Sequence, residues 1–151
     1  MSIYVSVQVE DFSVSYEHQC LSDSSNAGAV VTFCGSVRDV NLGDCIEGLT
    51  LEHYPGMTEK IINNICSEAK SRWNIEKVTV VHRIGDLNVG EQIVFVGVAS
   101  AYRREAFHAC EFIMDFLKTQ APFWKKEKTI DTTRWVDVRG SDSDAALRWS
   151  K

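Results

Sequence analysis

The amino-acid sequence predicts a single α+β domain that spans residues 1–151 and contains two main helices. Three observations support this prediction: short segments rich in β-branched residues, two longer segments with apolar residues at helical spacing, and no linker, repeat or low-complexity tract between them. A chain of this length buries roughly 70% of the surface that it exposes when unfolded, which is enough for one hydrophobic core.

Strands are predicted where apolar residues alternate with other residues, or where β-branched residues cluster between turn signals. Pro55-Gly56 is such a turn signal and ends the third predicted strand. Residues 85–90 are predicted to form the loop of a hairpin between two later strands. The predicted strands cover residues 3–9, 29–34, 46–54, 78–84, 92–100 and, near the end of the chain, 134–138.

Two segments have the apolar spacing of long helices. Thr58 opens the first, with Glu59 in its first turn and an apolar face that continues to Ala69. The second covers residues 104–119 and ends before Pro122, because the residue before a proline avoids helical geometry. Its apolar residues cover more than one stripe, so we expect it to be buried on two sides, between the sheet and a partner subunit. Shorter helices are predicted within residues 11–27 and at residues 142–149.

Composition excludes several classes of protein. The net charge of -5 argues against nonspecific binding to nucleic acid. No apolar run approaches the roughly 20 residues of a membrane-spanning helix. Because the first lysine or arginine is Arg38, neither a secretory signal nor a transit peptide is predicted, and we expect either a cytoplasmic protein or a chain from which a presequence was removed.

The five cysteines and four histidines have none of the spacings of a metal site, so no metal is expected. The cysteines are an odd set without a C-x-x-C pair, which also argues against a disulfide framework. We expect reduced thiols that are mostly buried.

A basic cluster near residue 120 is the first candidate functional feature. It holds four lysines and the single acid Glu127. The cluster indicates either an anion site or a solvated loop, and charge alone favours the loop. Since Pro122 interrupts the helix, we expect Lys118 at the helix end and Lys125 on the following loop. A desolvated lysine can act as an acid, a base or a nucleophile, but spacing alone does not decide between a pocket and free solvation.

Two arginines follow strand ends. Arg38 comes directly after Gly35, Ser36 and Val37, where its planar fork can meet a phosphate or a carboxylate. Arg103 follows Tyr102 at the start of the second main helix, where backbone N–H groups favour anions. Each arginine is equally consistent with a surface ion pair.

Four stretches occur in a fixed order along the chain: FCGSVRDVNLGD at 33–44, LEHYPGM at 51–57, HRIG at 82–85 and LKTQAPFWKKE at 117–127. Together they resemble the large, catalytic subunit family of molybdopterin synthase. The resemblance is close over about residues 28–127 and looser around Arg134-Trp135. Several long matches in order are more specific than one short motif.

The resemblance implies an α/β-hammerhead fold with a mixed, mostly antiparallel sheet, and a dimer of large subunits. It implies that each dimer end binds a small ubiquitin-like subunit whose Gly-Gly C-terminus carries a thiocarboxylate. The implied reaction transfers sulfur from that tail to cyclic pyranopterin monophosphate and forms the dithiolene of molybdopterin, a sulfurtransferase step of molybdenum cofactor biosynthesis. No cofactor of the chain itself is implied.

Carried over to this sequence, the resemblance makes Lys118 the leading catalytic residue beside the thiocarboxylate. Lys125 would bind and polarise the pterin, with Lys126 and Glu127 beside it. The anion pocket for the cyclic phosphate would contain Ser36, Val37, Arg38, Tyr102 and Arg103, and Arg103 would serve the neighbouring subunit's site. The family pattern has His-Arg where this chain has Tyr102-Arg103, and a tyrosine hydroxyl donates a hydrogen bond without positive charge.

Two other functions are consistent with the same residues. The first is a binding module that holds a phosphorylated small molecule or a carboxyl tail without turnover. The second is a Schiff-base enzyme that uses Lys118, although nothing else in the sequence indicates carbonyl chemistry.

Overall fold

The computed structural model describes residues 2–137 and 139–150. Two helices of 16 and 17 residues dominate the helical part and confirm the predicted α+β class. The strands are β1 (Ser2–Gln8), β2 (Ala29–Ser36), β3 (Val40–Asn41), β4 (Asp44–His53), β5 (Lys77–Arg83), β6 (Gly85–Asn88), β7 (Gln92–Ser100), β8 (Phe123–Thr129) and β9 (Thr133–Val136). The helices are α1 (Val14–Ser22), α2 (Met57–Arg72), α3 (Arg103–Thr119), α4 (Gly140–Leu147) and a final 3-10 turn (Arg148–Ser150).

The first sheet has the strand order β1-β5-β7-β2. β1 and β5 are parallel, whereas β7 is antiparallel to both β5 and β2. β5 and β7 are almost wholly buried because α2 and α3 cover one face and α1 covers the other. Val80 and Val96 pack with the two long helices, while Val81 and Phe95 pack with Leu21 of α1. The period of two along each strand thus divides the core into two layers.

The second sheet has the order β3-β4-β8-β9, and β6 pairs with β4. The prediction of a hairpin loop at residues 85–90 is wrong for residues 85–88, because these residues form β6. The backbone turns at Gly85, whose φ is 86°, and buries Leu87 against Leu49 and Leu51. A segment of Gly, Asp, Leu and Asn has little intrinsic strand propensity, so its tertiary contacts determine the strand.

The segment after Pro122 is strand β8, so the prediction of a loop there is wrong. It pairs antiparallel with β4 from Phe123 to Thr129 and with β9 on its other side. Three lysines hide the strand pattern in the sequence, but burial alternates: Glu127 is buried, whereas Trp124 and Lys128 are exposed. Lys125 therefore lies on a rigid strand and not on a loop.

Several predicted element ends shift by one or two residues. α2 begins at Met57 and not at Thr58, since the N–H of Gly56 donates to Glu59 Oε2 at 2.7 Å while Thr58 turns inward and its hydroxyl donates to the Tyr54 carbonyl. β2 continues past Gly35, with a bulge between residues 35 and 36. The predicted strand 134–138 is β9, which ends at Val136, and residue 138 lies outside the described residues.

α3 buries one broad face and exposes Phe107, so its predicted second buried side is not covered within this chain. The prediction that the cysteines are mostly buried is wrong, because Cys20, Cys34 and Cys45 are exposed. Cys66 and Cys110 are buried, and burial raises the pKa of each thiol to about 12.

The 3-10 turn that follows α4 is fastened to α3 through Asp115. The Asp115 carboxylate accepts hydrogen bonds from the Trp149 indole at 2.7 Å and from Arg148 at 2.8 Å. Trp149 also packs edge-on against Trp73 and Phe112. These contacts hold α4 beside the end of α3, where its first residues reach the cavity described below.

Within the part of the chain that the structure describes, no helix has the length and apolar character needed to cross a membrane. The cytoplasmic location expected from the sequence stays a prediction.

We predict that Gly97→Ala destabilises the fold. An added Cβ would lie 2.3 Å from Leu21 Cδ1 and 2.9 Å from the Phe95 ring, and both side chains are buried. Overpacking of this kind costs about 1–3 kcal/mol, measurable by urea denaturation. Gly140→Ala is the matched control, since nothing lies within 4 Å of the position that its added methyl group would take. Equal stability of the two variants would contradict the packing described for the α1 layer.

Candidate active site

A cavity of about 370 Å³ lies between the two sheets and the end of α3. Its volume is within the range of small-molecule sites, roughly 300–1,000 Å³. The ends of β2 and α3, the inner face of β8 and the start of α4 contribute side chains to its wall. Segments that are distant in the sequence therefore converge on one space.

The cavity brings together six of the residues predicted from the sequence. They are Ser36, Val37, Arg38, Lys118, Lys125 and Glu127. Lys126 is not among the lining residues, because it alternates to the other face of β8, where its ammonium lies 4.8 Å from the centre of the Trp135 ring. Tyr102 and Arg103 line a separate depression and are not brought to this cavity within one chain.

The bulge in β2 positions the segment that carries Arg38. Beyond the bulge, the N–H of Val37 donates to the Glu91 carbonyl at 2.9 Å, and the Val37 carbonyl accepts from the Gly90 N–H at 2.9 Å. The Val37 side chain is buried among leucines of β4 and β6, and Arg38 is exposed beside it at the cavity wall. Bulges commonly re-aim a side chain next to a functional site, and this one does so here.

The two predicted lysines are neighbours in the cavity. Lys118 is the basic residue in the last turn of α3, and Lys125 is half-buried on β8. Burial, and next the charge of Lys118, lower the pKa of Lys125 from 10.5 to about 7. Arg139 acts in the same direction, whereas the charge of Asp142 opposes it. Lys125 is therefore divided between its charged and neutral forms near neutral pH.

The cations of the cavity are free to meet an anion. Among the described residues, none of Arg38, Lys118, Lys125 and Arg139 lies within 4.0 Å of a carboxylate as a salt bridge. In the same part of the chain, no three His, Cys, Asp or Glu side chains are grouped as a metal site. The cavity is thus suited to a small anion held by lysine and arginine side chains.

Sequence reasoning missed His82, which forms part of the cavity wall. Its ring stacks on Phe123 with centroids 3.8 Å apart, and burial lowers its pKa to about 3. His82 Nδ1 lies 2.8 Å from the Arg83 carbonyl oxygen, which can only accept, so Nδ1 carries the proton. The other nitrogen of this neutral ring is then a hydrogen-bond acceptor. The only signal in the sequence was the HRIG stretch, which gave no role to the histidine.

Residues from the C-terminal segment were also missed. Asp137, Arg139 and Asp142 line the cavity together with Asn41, which comes from the distant strand β3. Nothing in the local sequence around residue 139 distinguishes this arginine from a solvent-exposed one. Its place in the cavity follows from the anchoring of the C-terminal helix to α3.

Comparisons with known proteins decide the family of the chain. The family model described as MoaE protein matches residues 7–120. The chain belongs to the MoaE family. The chain is 63% identical over 145 residues to the molybdopterin synthase catalytic subunit of Vibrio cholerae serotype O1, with 96% of this chain and 97% of that protein covered.

Solved structures confirm the predicted fold. The MoaE protein from Burkholderia ambifaria MC40-6 has a TM-score of 0.84 and 44% identity, and 99% of each chain is covered. The molybdopterin synthase structure from Staphylococcus aureus has a TM-score of 0.82 and 31% identity, covering 87% of this chain and 96% of that one. The resemblance found in the sequence therefore identified the family and the fold correctly.

The second depression of this MoaE chain lies at the start of α3. Gly28, Ala29 and Ala101 line it together with Tyr102, Arg103 and Arg104. The Tyr102 and Arg103 side chains are exposed, and Tyr102 precedes the first turn of the helix. The site roles predicted for these two residues stay predictions.

We predict that Lys118→Gln raises the pKa of Lys125 above about 7. The substitution removes a neighbouring positive charge but leaves burial, the larger cause, so the pKa should remain below 10.5. NMR titration of the Lys125 side chain measures this shift. Lys126→Gln is the control, because Lys126 lies on the opposite face of β8, and an equal response to both substitutions would argue against a shared pocket for Lys118 and Lys125.

The same pKa has a consequence for stability. Between pH 7 and 10.5 the unfolded lysine holds a proton that folded Lys125 has released. This group therefore makes the free energy of unfolding increase as the pH rises through that window. Lys118→Gln should reduce the contribution of Lys125 to this pH dependence, because a higher pKa in the folded protein narrows the pH range between the folded and unfolded pKa values.

Proposed function

We propose that the protein is the catalytic subunit of a molybdopterin synthase and acts as a sulfurtransferase. Its substrate would be cyclic pyranopterin monophosphate, and its sulfur donor the thiocarboxylated tail of a small ubiquitin-like subunit. The observation that carries the proposal is the pair of neighbouring lysines, Lys118 and Lys125, in a cavity with two further cations, Arg38 and Arg139. The membership of the MoaE family supports the same reaction.

Charge complementarity supports the choice of substrates. A thiocarboxylate and a phosphate are both anions, so their approach requires positive charge that is already in place. The cavity provides that charge, and its volume suits a pterin with one phosphate. A neutral donor and a neutral acceptor would not need four cations.

In this proposal Lys118 lies beside the incoming thiocarboxylate and is the main catalytic residue. Lys125 binds and polarises the pterin, and an ammonium of this pair protonates the leaving oxygen as the cyclic phosphate opens. A pKa near 7 suits that task, because such a lysine both holds and releases a proton at neutral pH. Arg38 and the Ser36 hydroxyl bind the phosphate, and the buried Val37 side chain lies beside them in the cavity wall.

Each sulfur transfer forms one carbon–sulfur bond on the pterin and breaks one carbon–oxygen bond there, so that the oxygen leaves with the opened phosphate in one transfer and as water in the other. Hydrolysis of the acyl–sulfur bond then releases the small subunit as a carboxylate, with water as the source of the new oxygen. Two small-subunit molecules supply the two sulfurs of the dithiolene. This chemistry requires no metal or cofactor resident on the chain, and its partners are the small subunit with its Gly-Gly end and a second copy of the chain.

We predict that Lys118→Ala loses sulfur transfer by about 10²-fold or more, as expected when a preorganised charge is removed from the reacting centre. The assay combines the purified chain, the thiocarboxylated small subunit and cyclic pyranopterin monophosphate, and detects the dithiolene product. Lys126→Ala serves as the control and should retain activity, since Lys126 lies outside the cavity.

Wild-type-like transfer by Lys118→Ala would remove the role proposed for that lysine. If the wild type formed no product despite a confirmed complex with the small subunit, the chain would be a binding module with the same anion cavity.

We further propose that Arg103 of one protomer completes the site of the other. Lys118→Ala and Arg103→Ala should each be inactive as homodimers. After mixing and subunit exchange, half of the dimers are mixed and each has one intact site, so about a quarter of wild-type activity should return. No recovery, despite mixed dimers seen by native mass spectrometry, would mean that Arg103 acts within its own chain or not at all.

A further inference from the structure

The cavity contains a buried hydrogen-bond relay that ends at an arginine. Glu127 is 5% exposed, and its Oε1 accepts a hydrogen bond from the side-chain amide of Asn41. The Asn41 Oδ1 in turn accepts from Arg139 Nη2 at 2.6 Å. Asn41 is itself buried, whereas Arg139 is exposed at the cavity wall.

The chemistry of the two partners fixes the orientation of the Asn41 amide. A carboxylate only accepts hydrogen bonds, and a guanidinium only donates them. If the amide were reversed, its oxygen would face the oxygen of Glu127 and its N–H groups would face the N–H groups of Arg139. Only one orientation avoids both repulsions, so Asn41 presents a fixed acceptor to Arg139.

A second arginine neutralises the buried carboxylate from outside the cavity. Arg134 Nη2 donates to Glu127 Oε2 at 3.4 Å and to the backbone carbonyl oxygen of Asn41 at 3.2 Å. Arg134 Nη1 donates to Asp44 Oδ2 at 2.6 Å. Both carboxylate oxygens of Glu127 are therefore engaged by protein groups, and its charge is compensated before any substrate arrives.

We propose that Asn41 is a positioning residue that holds the guanidinium of Arg139 in the cavity, and that Glu127 acts by orienting Asn41. This inference rests on the proposed function for its kinetic part. Glu127 is then not in direct contact with the substrate, in contrast to the role expected from the sequence. Its distance along the chain from Asn41, 86 residues, explains why sequence spacing does not reveal the relay.

The hydrogen bond from Arg139 to Asn41 also connects two parts of the cavity wall that are far apart in the sequence. Arg139 precedes α4, and Asn41 lies in β3, 98 residues earlier. Without Asn41, the long Arg139 side chain would sample many rotamers in solvent. A held guanidinium loses less conformational entropy when an anion binds, so the relay should act on substrate affinity and less on turnover.

The first test is a double-substitution cycle in the assembled synthase. Asn41→Ala should raise the KM for cyclic pyranopterin monophosphate about tenfold, the size expected for a lost hydrogen bond to a charged group, with little change in kcat. Arg139→Ala should raise it at least as much. The double variant should match Arg139→Ala alone, because Asn41 then has nothing to position. Independent, multiplying losses would overturn the proposal, and so would an unchanged KM in Asn41→Ala.

Two further variants separate positioning from folding. Asp44→Asn weakens the outer contact of Arg134 but leaves the bond between Asn41 and Arg139, so its KM should stay near that of the wild type. Glu127→Gln keeps the shape of the side chain, yet glutamine also donates, so either orientation of Asn41 becomes possible. The relay is supported if Glu127→Gln has a raised KM while its melting temperature equals that of Asp44→Asn. A wild-type KM in Glu127→Gln contradicts the relay.

A second readout does not depend on sulfur transfer. In the chain alone, NMR should find slow rotation of the Arg139 guanidinium relative to exposed Arg104, and Asn41→Ala should abolish the difference. If the wild type lacks synthase activity, the proposed function fails while this measurement still decides the relay. Equal rotation of Arg139 and Arg104 in the wild type would show that Asn41 does not hold the guanidinium.

Discussion

The pairing of β8 with β4 is the constraint on which the rest of the site depends. In the observed register Lys125 lies opposite Leu51 and Glu127 lies opposite Leu49. Directly opposed residues of an antiparallel pair share one face of the sheet, so both polar side chains are placed beside buried leucines. This pairing explains the desolvation that lowers the pKa of Lys125, and a shift of one residue would send Lys126 into the cavity instead.

The charges of the cavity are arranged so that its buried acid Glu127 does not cancel its lysines. An isolated buried anion at Glu127 would be costly, but Arg134, which lies directly opposite on the neighbouring strand β9, compensates its charge. The remaining cations keep their attraction for a ligand, even though the whole chain carries a net charge of -5. A paired buried carboxylate contributes little net stability to the fold. The structural role of Glu127 is instead to orient the side-chain amide of Asn41.

Local pattern was sufficient where burial and periodicity agree. The two long helices, β5 and β7 have strong apolar repeats, and they occur as predicted. β6 and β8 were missed because their residues are polar or lysine-rich and their strand geometry comes from pairing with β4.

The residues of the candidate site likewise fall into those that the sequence predicts and those that it does not. Arg38, Lys118 and Lys125 stand in recognisable stretches and line one cavity, as expected. Arg139 and His82 could not be found from spacing, because chain topology alone brings them there. Lys126 was expected beside Lys125, but strand alternation, unrecognised in a predicted loop, turns it to the other face.

Binding of an anion and protonation of Lys125 are necessarily coupled. Without a bound anion, burial and the charge of Lys118 disfavour the ammonium form of Lys125. A phosphate or thiocarboxylate beside it favours that form, so each bound anion raises the pKa of this lysine, and protonation strengthens anion binding by the same free energy. Under the proposed function, the substrate therefore creates the acid that its own reaction needs. Without a bound anion, Lys125 is partly neutral, which limits the electrostatic repulsion between its side chain and that of Lys118. It becomes fully charged only when the negative charge of an anion is present to compensate that repulsion.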